Sequence, residues 1–190
     1  WGHAETNGSN GLTFSTVQAG AATDSWQAVA FDGVDTLKVF GSKVMTCNIN
    51  VGCKAGANGF ATETPAQPVS LFGATFAQGR FVAVGASEVI LTEPQGALSS
   101  FTERHRGGDS FEHILVRSLA AAGDTVLVAG TSKKVLRSTD GGDHFTETPT
   151  PATGALTQVR RIGDKFFAVG GATTVMSSSD GSEGSWTVAT

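Results

Sequence analysis

Ser138, Asp140 and His144 fall within seven residues of one another in the stretch RSTDGGDHFTE, residues 137–147. A hydroxyl, a carboxylate and an imidazole this close admit three readings. They could be a nucleophile with its base, a metal loop, or a turn whose side chains bind their own backbone. A Ser-His-Asp set could also be drawn from His105, His113 and any of many serines, yet no G-x-S-x-G elbow accompanies them. A calcium shell needs six to eight oxygens, and too few cluster here. The glycine pairs Gly107-Gly108 and Gly170-Gly171 precede strand-like runs, so they do not cradle phosphate at a helix start.

Cys47 and Cys53, in TCNINVGCKAG, are spaced too widely for a CxxC metal site, and the four histidines are scattered. No metal and no cofactor is therefore expected. A local disulfide closing a small loop is preferred over two buried free thiols, and it implies an oxidising compartment.

Thirteen Lys and Arg stand against 17 Asp and Glu, a formal charge of −4, with no long basic run. Nucleic-acid binding is thereby disfavoured. No apolar run approaches the ~18–20 residues of a membrane-spanning helix. The opening WGHAETNGSN has no Met and looks like a processed or trimmed end. Twenty-five glycines among 190 residues, with only five prolines, point to many tight turns, as in all-β chains.

The elements that must position these residues appear when the chain is compared with itself. Aromatic residues followed by strand-forming residues recur at Phe14, Phe60, Phe101, Phe145 and Trp186, at intervals of 41–46 residues. In step with them, LKVFGSKVMT, FVAVGASEVILT, VLVAGTSKKVLRS and FFAVGGATTVMSS each read strand, glycine turn, strand. An apolar segment ending in a turn precedes each one. Short Val- and Phe-rich runs of this kind favour strand over helix. Each unit is thus a meander of four strands, a to d. A four-stranded repeat of ~40–45 residues is the signature of a β-propeller blade. The expected organisation is a single domain, 1–190, of about five blades. It comprises a half-blade at 1–23 and full blades at 24–65, 66–108, 109–151 and 152–190.

Ser138-Thr139-Asp140-Gly141-Gly142-Asp143-His144-Phe145 resembles the Asp-box, S-x-D-x-G-x-x-W/F, of BNR-type propellers. Ser178 to Trp186, with Asp180 at the acidic position, is a looser copy. The unit LTEPQGALSSF keeps Glu93, and Glu5 stands near the acidic position of the half-blade. This architecture occurs in sialidases, xyloglucanases, sortilin-type receptors and photosystem II assembly factors, the last being the most similar in repeat pattern. The resemblance implies a structural role for Ser138, Asp140, Gly142, Phe145, Ser178, Asp180 and Trp186 in the c–d hairpins, on the face opposite the ligand-binding mouth. A sialidase needs a tyrosine nucleophile, and the chain has no tyrosine.

Function is then expected on the b–c turns and d–a loops. The most chemically loaded loop, ERHRGGDSFEH, holds Arg104, His105, Arg106, Asp109 and His113. Glu88 and Lys133 lie in b–c turns, and Trp26 could stack on a sugar or fill the core. Mouth carboxylates Asp24, Glu88, Asp109 and Glu112 show no spacing that marks a glycosidase pair. The reading is a non-catalytic extracytoplasmic propeller, secreted or periplasmic, that binds a protein, peptide or glycan. The alternatives are a lectin-like propeller and a glycoside hydrolase or lyase with mouth carboxylates. A partner chain or self-association could complete the half-blade, since open sheet edges invite pairing.

Overall fold

The computed structural model describes residues 2–7, 11–16, 25–50, 53, 61–63, 70–106, 116–130, 132–172 and 174–189. A hairpin of β1 (Gly2–Asn7) and β2 (Gly11–Thr16) comes first. Four four-stranded sheets follow, each with its strands in chain order and antiparallel throughout. The first sheet is β3 (Trp26–Phe31), β4 (Thr36–Gly41), β5 (Val44–Asn48) and β6 (Ala61–Glu63). The second is β7 (Leu71–Ala77), β8 (Arg80–Gly85), β9 (Ile90–Pro94) and β10 (Thr102–His105). The third is β11 (Val116–Ala122), β12 (Thr125–Gly130), β13 (Lys134–Ser138) and β14 (Thr146–Pro149). The fourth is β15 (Leu156–Ile162), β16 (Lys165–Gly170), β17 (Val175–Ser178) and β18 (Thr187–Val188). The all-β propeller fold expected from the repeat is what the chain adopts. The only helical element described is one 3-10 turn at Ala86–Glu88.

The glycine that ends the second strand has a steric cause in the first, second and fourth sheets. The first strand of the same sheet passes so close that a Cβ on Gly41, Gly85 or Gly170 would sit 1.7, 2.1 or 2.2 Å from a carbonyl oxygen. Those oxygens belong to Ser25, Ser70 and Ala155. The same first strands carry a register shift beside this point, between Trp26 and Ala28, Leu71 and Gly73, and Leu156 and Gln158. A bulge thus brings two backbones into contact where only hydrogen fits.

The first strands of successive sheets pack on one another, β3 on β7, β7 on β11 and β11 on β15. Alternation along the second strands sends residues to opposite faces. Residues one and three places before the terminal glycine face the next sheet; those two and four places before it face the preceding sheet. Three buried layers between sheets result among the described residues. Phe40 and Val44 meet Phe81, Ala83 and Leu91 between the first and second sheets. Val82, Val84 and Ile90 meet Val126, Val128 and Leu136 between the second and third. Leu127, Ala129 and Val135 meet Phe166, Ala168 and Met176 between the third and fourth.

Candidate functional site

The hairpin that first suggested chemistry is closed on itself. Ser138 Oγ accepts the N–H of Gly142 at 2.9 Å and of Asp140 at 3.2 Å, and donates to Asp140 Oδ1 at 2.7 Å. Asp140 Oδ1 in turn accepts the N–H groups of Asp143 and His144, both at 3.0 Å, while Oδ2 lies 2.7 Å from His144 Nδ1. Burial works to raise the Asp140 pKa, but the His144 N–H, the Ser138 hydroxyl and the imidazole overcome it and hold the group well below the carboxylate range. Gly142, at φ +98°, lies against Val82 and Thr92 of the second sheet, with Phe145 beside it. The looser copy repeats the device. Ser178 Oγ accepts from Gly181 at 2.7 Å and Asp180 Oδ1 accepts from the Ser182 N–H at 3.0 Å. A Cβ on Gly181 would strike Leu127 at 2.5 Å, and Trp186 is buried in the last layer. The Ser138 hydroxyl, both Asp140 oxygens and His144 Nδ1 are thus spent on the turn.

The residues expected at the mouth are dispersed. Arg104 donates from Nε to Thr92 Oγ1 at 2.7 Å and pairs with Asp143 at 2.9 Å, a carboxylate that Arg80 also holds. It therefore joins the second sheet to the Ser138–Phe145 hairpin. A register shift between Glu103 and His105 explains why neighbours in sequence part company. His105 Nε2 instead lies 3.5 Å from Glu88, whose backbone, like that of Ser87, is left-handed, at φ 52° and 58°. Arg106 bonds Glu103 through both Nε and Nη2. Lys133 is exposed and Trp26 half-buried. Asp109 and His113 lie outside the described residues, as do Asp24 and Glu112. Cys47 and Cys53 are joined in a disulfide, with Cα atoms 5.5 Å apart.

Two arrangements escaped the sequence reading. The first is ionic and wholly interior. Lys38 is 0% exposed, and its Nζ bonds Glu63 at 2.7 Å and Glu93 more tightly still. Thr46 and the Ser99 N–H also donate to Glu63, and the Ser100 N–H donates to Glu93. The ammonium lies over the rings of Phe81 and Phe101, 5.3 and 5.6 Å from their centres. Burial works to raise both carboxyls. Lys38, Thr46 and Ser99 outweigh it at Glu63, which is pushed down; at Glu93, with the Glu63 charge nearby, burial wins and the group is pushed up. These are two close, desolvated carboxylates, but an ammonium bridges them and no substrate can reach them, so they are not a glycosidase pair. The available signal was a lysine in a repeat position that holds Val82, Leu127 and Phe167 in the other units.

The second is a cavity of about 370 Å³ where the first strands of all four sheets converge. Gln27 and Val29 of β3, Gly73 of β7, Ser118 and Leu119 of β11 and Arg160 of β15 line it. Arg160 Nη1 donates to Ser118 Oγ at 2.9 Å and to the Val159 carbonyl at 3.2 Å. Its Nε and Nη2 keep free donors among the described residues. Ser118 Oγ itself donates to the Val159 carbonyl at 3.0 Å, so the serine holds the guanidinium at the wall. No group of three or more His, Cys, Asp or Glu capable of holding a metal occurs among the described residues. No helix among them is long and apolar enough to cross a membrane.

No protein-family description and no curated protein matches the sequence. Solved structures do match. YCF48 bound to D1 peptide aligns with a TM-score of 0.55 and 15% identity, over 65% of this chain and 42% of that one. The WD40 β-propeller domain of Doa1 aligns at 0.63 and 10% identity, over 86% and 54%. The computationally designed Ika4 protein aligns at 0.62 and 10% identity, over 86% of this chain and 96% of its own. The chain spans less than half the length of YCF48. At these identities the likeness is one of fold.

Proposed function

We propose that the chain is a non-catalytic binding propeller of the BNR/Asp-box kind that holds a peptide segment of a protein partner at the inner cavity. The observation that supports this most is the convergence of the four first strands on a space with few, well-placed polar groups. Arg160 offers unused donors there, Gln27 adds an amide, and small residues such as Gly73 leave the backbone accessible. Around that space the carboxylates a hydrolase would need are absent from the described lining, and the Glu63–Glu93 pair is sealed inside. YCF48, of the same fold, has been seen with a bound peptide, which makes a peptide the first ligand class to try. The Cys47–Cys53 disulfide favours an extracytoplasmic setting.

An array of extended peptides, read in parallel with a glycan array, tests the proposal. Peptide binding that weakens about tenfold or more in Arg160→Ala, with unchanged thermal melting, is the expected result. Binding to glycans alone, or peptide binding indifferent to Arg160→Ala and Gln27→Ala, would overturn it.

A further inference from the structure

Lys38, Glu63 and Glu93 carry more chemistry than a buried ion pair needs. Lys38 Nζ lies against Glu93 Oε2 and 2.7 Å from Glu63 Oε1, with the Ala97 carbonyl at 3.4 Å as its third acceptor. The two carboxyls are held differently. The other oxygen of Glu93, Oε1, accepts the Ser100 N–H at 2.7 Å. Glu63 accepts Thr46 Oγ1 beside Lys38 at Oε1, and the Ser99 N–H at 2.8 Å at Oε2. Their affinities for a proton part accordingly. Burial pushes Glu93 up, whereas at Glu63 the donors outweigh burial and push it down.

An amine and a carboxyl do not condense in water, where they persist as ammonium and carboxylate. Three features of this site remove that obstacle. Lys38 and Glu93 are 0% exposed, Glu63 is 2% exposed, and the Phe81 and Phe101 rings flank the nitrogen, so water is excluded and the charged forms are penalised. The fold holds amine against carboxyl, which replaces a bimolecular encounter by a fixed one. Glu63 touches the nitrogen and can carry its protons, and the Ser100 N–H faces the oxygen on which negative charge collects.

We propose that Lys38 Nζ and Glu93 Cδ become joined by an intramolecular amide bond, formed within the folded chain with Glu63 as the proton carrier. The ionic arrangement described above is the state from which the reaction starts. Glu93 enters as the neutral acid and Lys38 as the ammonium. Glu63 takes one proton from Nζ, and the freed lone pair attacks Cδ. The carbonyl electron pair moves onto Oε1, where the Ser100 N–H receives it. Glu63 then gives its proton to Oε2 and takes a second one from the nitrogen. The carbonyl re-forms, the Cδ–Oε2 bond breaks, and Oε2 leaves as water. One C–N bond is made and one C–O bond is lost; nothing is oxidised or reduced, and the remaining proton rests on Glu63. The product carries no charge, so the penalty of burying ions is relieved. The bond ties β4 to β9 across 55 residues of chain and joins the first two sheets covalently.

Intact-mass spectrometry of the full chain under denaturing conditions is the test. The expected mass is that of the sequence less two hydrogens for the Cys47–Cys53 disulfide and less one water. Proteolytic mapping should recover the peptide holding Lys38 joined to the one holding Glu93, with no tryptic cleavage after Lys38. Lys38→Arg should regain the water in full, and Lys38→Met replaces it if circular dichroism shows that it does not fold. Folded Glu63→Gln, sampled beside the intact protein at intervals after synthesis, should form the link on the order of 100-fold more slowly. A folded chain at the disulfide-only mass, with Lys38 unlinked, would overturn the proposal. So would a link mapped to Glu63, an unchanged rate in Glu63→Gln, or a missing water that persists in Lys38→Arg, as cyclisation at Asp32-Gly33 would leave.

Discussion

Beneath the Ser138–Phe145 hairpin lies Val82, and beneath the hairpin that starts at Ser178 lies Leu127. The corresponding place between the first and second sheets is filled by Lys38, and the residue above it is Glu93. Register makes the three sites equivalent. Glu93, Ser138 and Ser178 oppose Phe81, Val126 and Phe166, each four residues before the strand-ending glycine. One geometry is thus stabilised by two chemistries. In the later layers a serine binds a glycine-rich turn that settles on an aliphatic side chain. In the first layer an ammonium joins two carboxylates from different sheets, and the loop after β9 donates Ser99 and Ser100 N–H groups to them. Asp32 extends the same style. It accepts three N–H groups from its own turn and one from Gln95 of the second sheet at 2.8 Å.

The difference has energetic content. An apolar layer loses only the removed atoms and their cavity when a side chain is truncated. A buried ionic layer loses its compensation all at once. Lys38→Ala should therefore destabilise by ~3–5 kcal/mol in equilibrium denaturation, because Glu63 and Glu93 are left buried without a counter-charge. Carrying the later chemistry into the first layer, as Lys38→Leu with Glu63→Gln and Glu93→Ser, should restore most of that loss. A triple variant as weak as Lys38→Ala would break the proposed equivalence.

A smaller effect belongs to the hairpins. Asp140→Ala should cost ~1 kcal/mol, the worth of a half-exposed carboxylate accepting turn N–H groups. The same carboxylates set the acid limit. Backbone donors and Gln95 hold Asp32 at about 2, against the burial that works to raise it, where the ordinary value is 3.8. A depressed folded pKa gives stability that is whole above the unfolded value and lost as pH falls through the folded one. Melting temperature should decline from pH 3.8 towards about 2, and Asp140→Asn should flatten the decline. The smallest effect is expected at the surface. Asp143→Asn, which loosens Arg80 and Arg104, should cost at most ~1 kcal/mol and lose even that in high salt.

What could be read from the sequence follows the range of each interaction. The strand-ending glycines stand out in the repeat because, at Gly41, Gly85 and Gly170, a neighbouring backbone leaves no room for a side chain. The Ser138–His144 bonds are legible because all of them span two to four residues. The cysteines are close in sequence, and they are joined. The ionic layer is different. Lys38 meets Glu63 across 25 residues and Glu93 across 55, and only the register of three strands brings them together. The cluster Arg104-His105-Arg106 looked like one site because its charges are adjacent, but a bulge sends them to different partners. The cavity is likewise a product of convergence, with Gln27, Ser118 and Arg160 contributed by strands far apart in the chain.

The position of Lys38 also bears on how a chain of near-copies avoids assembling in the wrong order. Repeats that resemble one another can mispair while folding, and an apolar face does little to distinguish its proper neighbour from another. Lys38 does distinguish them. Set against the third or fourth sheet, it would meet Ser138 or Ser178 where Glu93 should be, and would keep only Glu63 of its own sheet as a carboxylate partner. That mismatch acts as an address carried inside the stack: the second sheet is the one partner, among those described, that offers Lys38 a second carboxylate at this place.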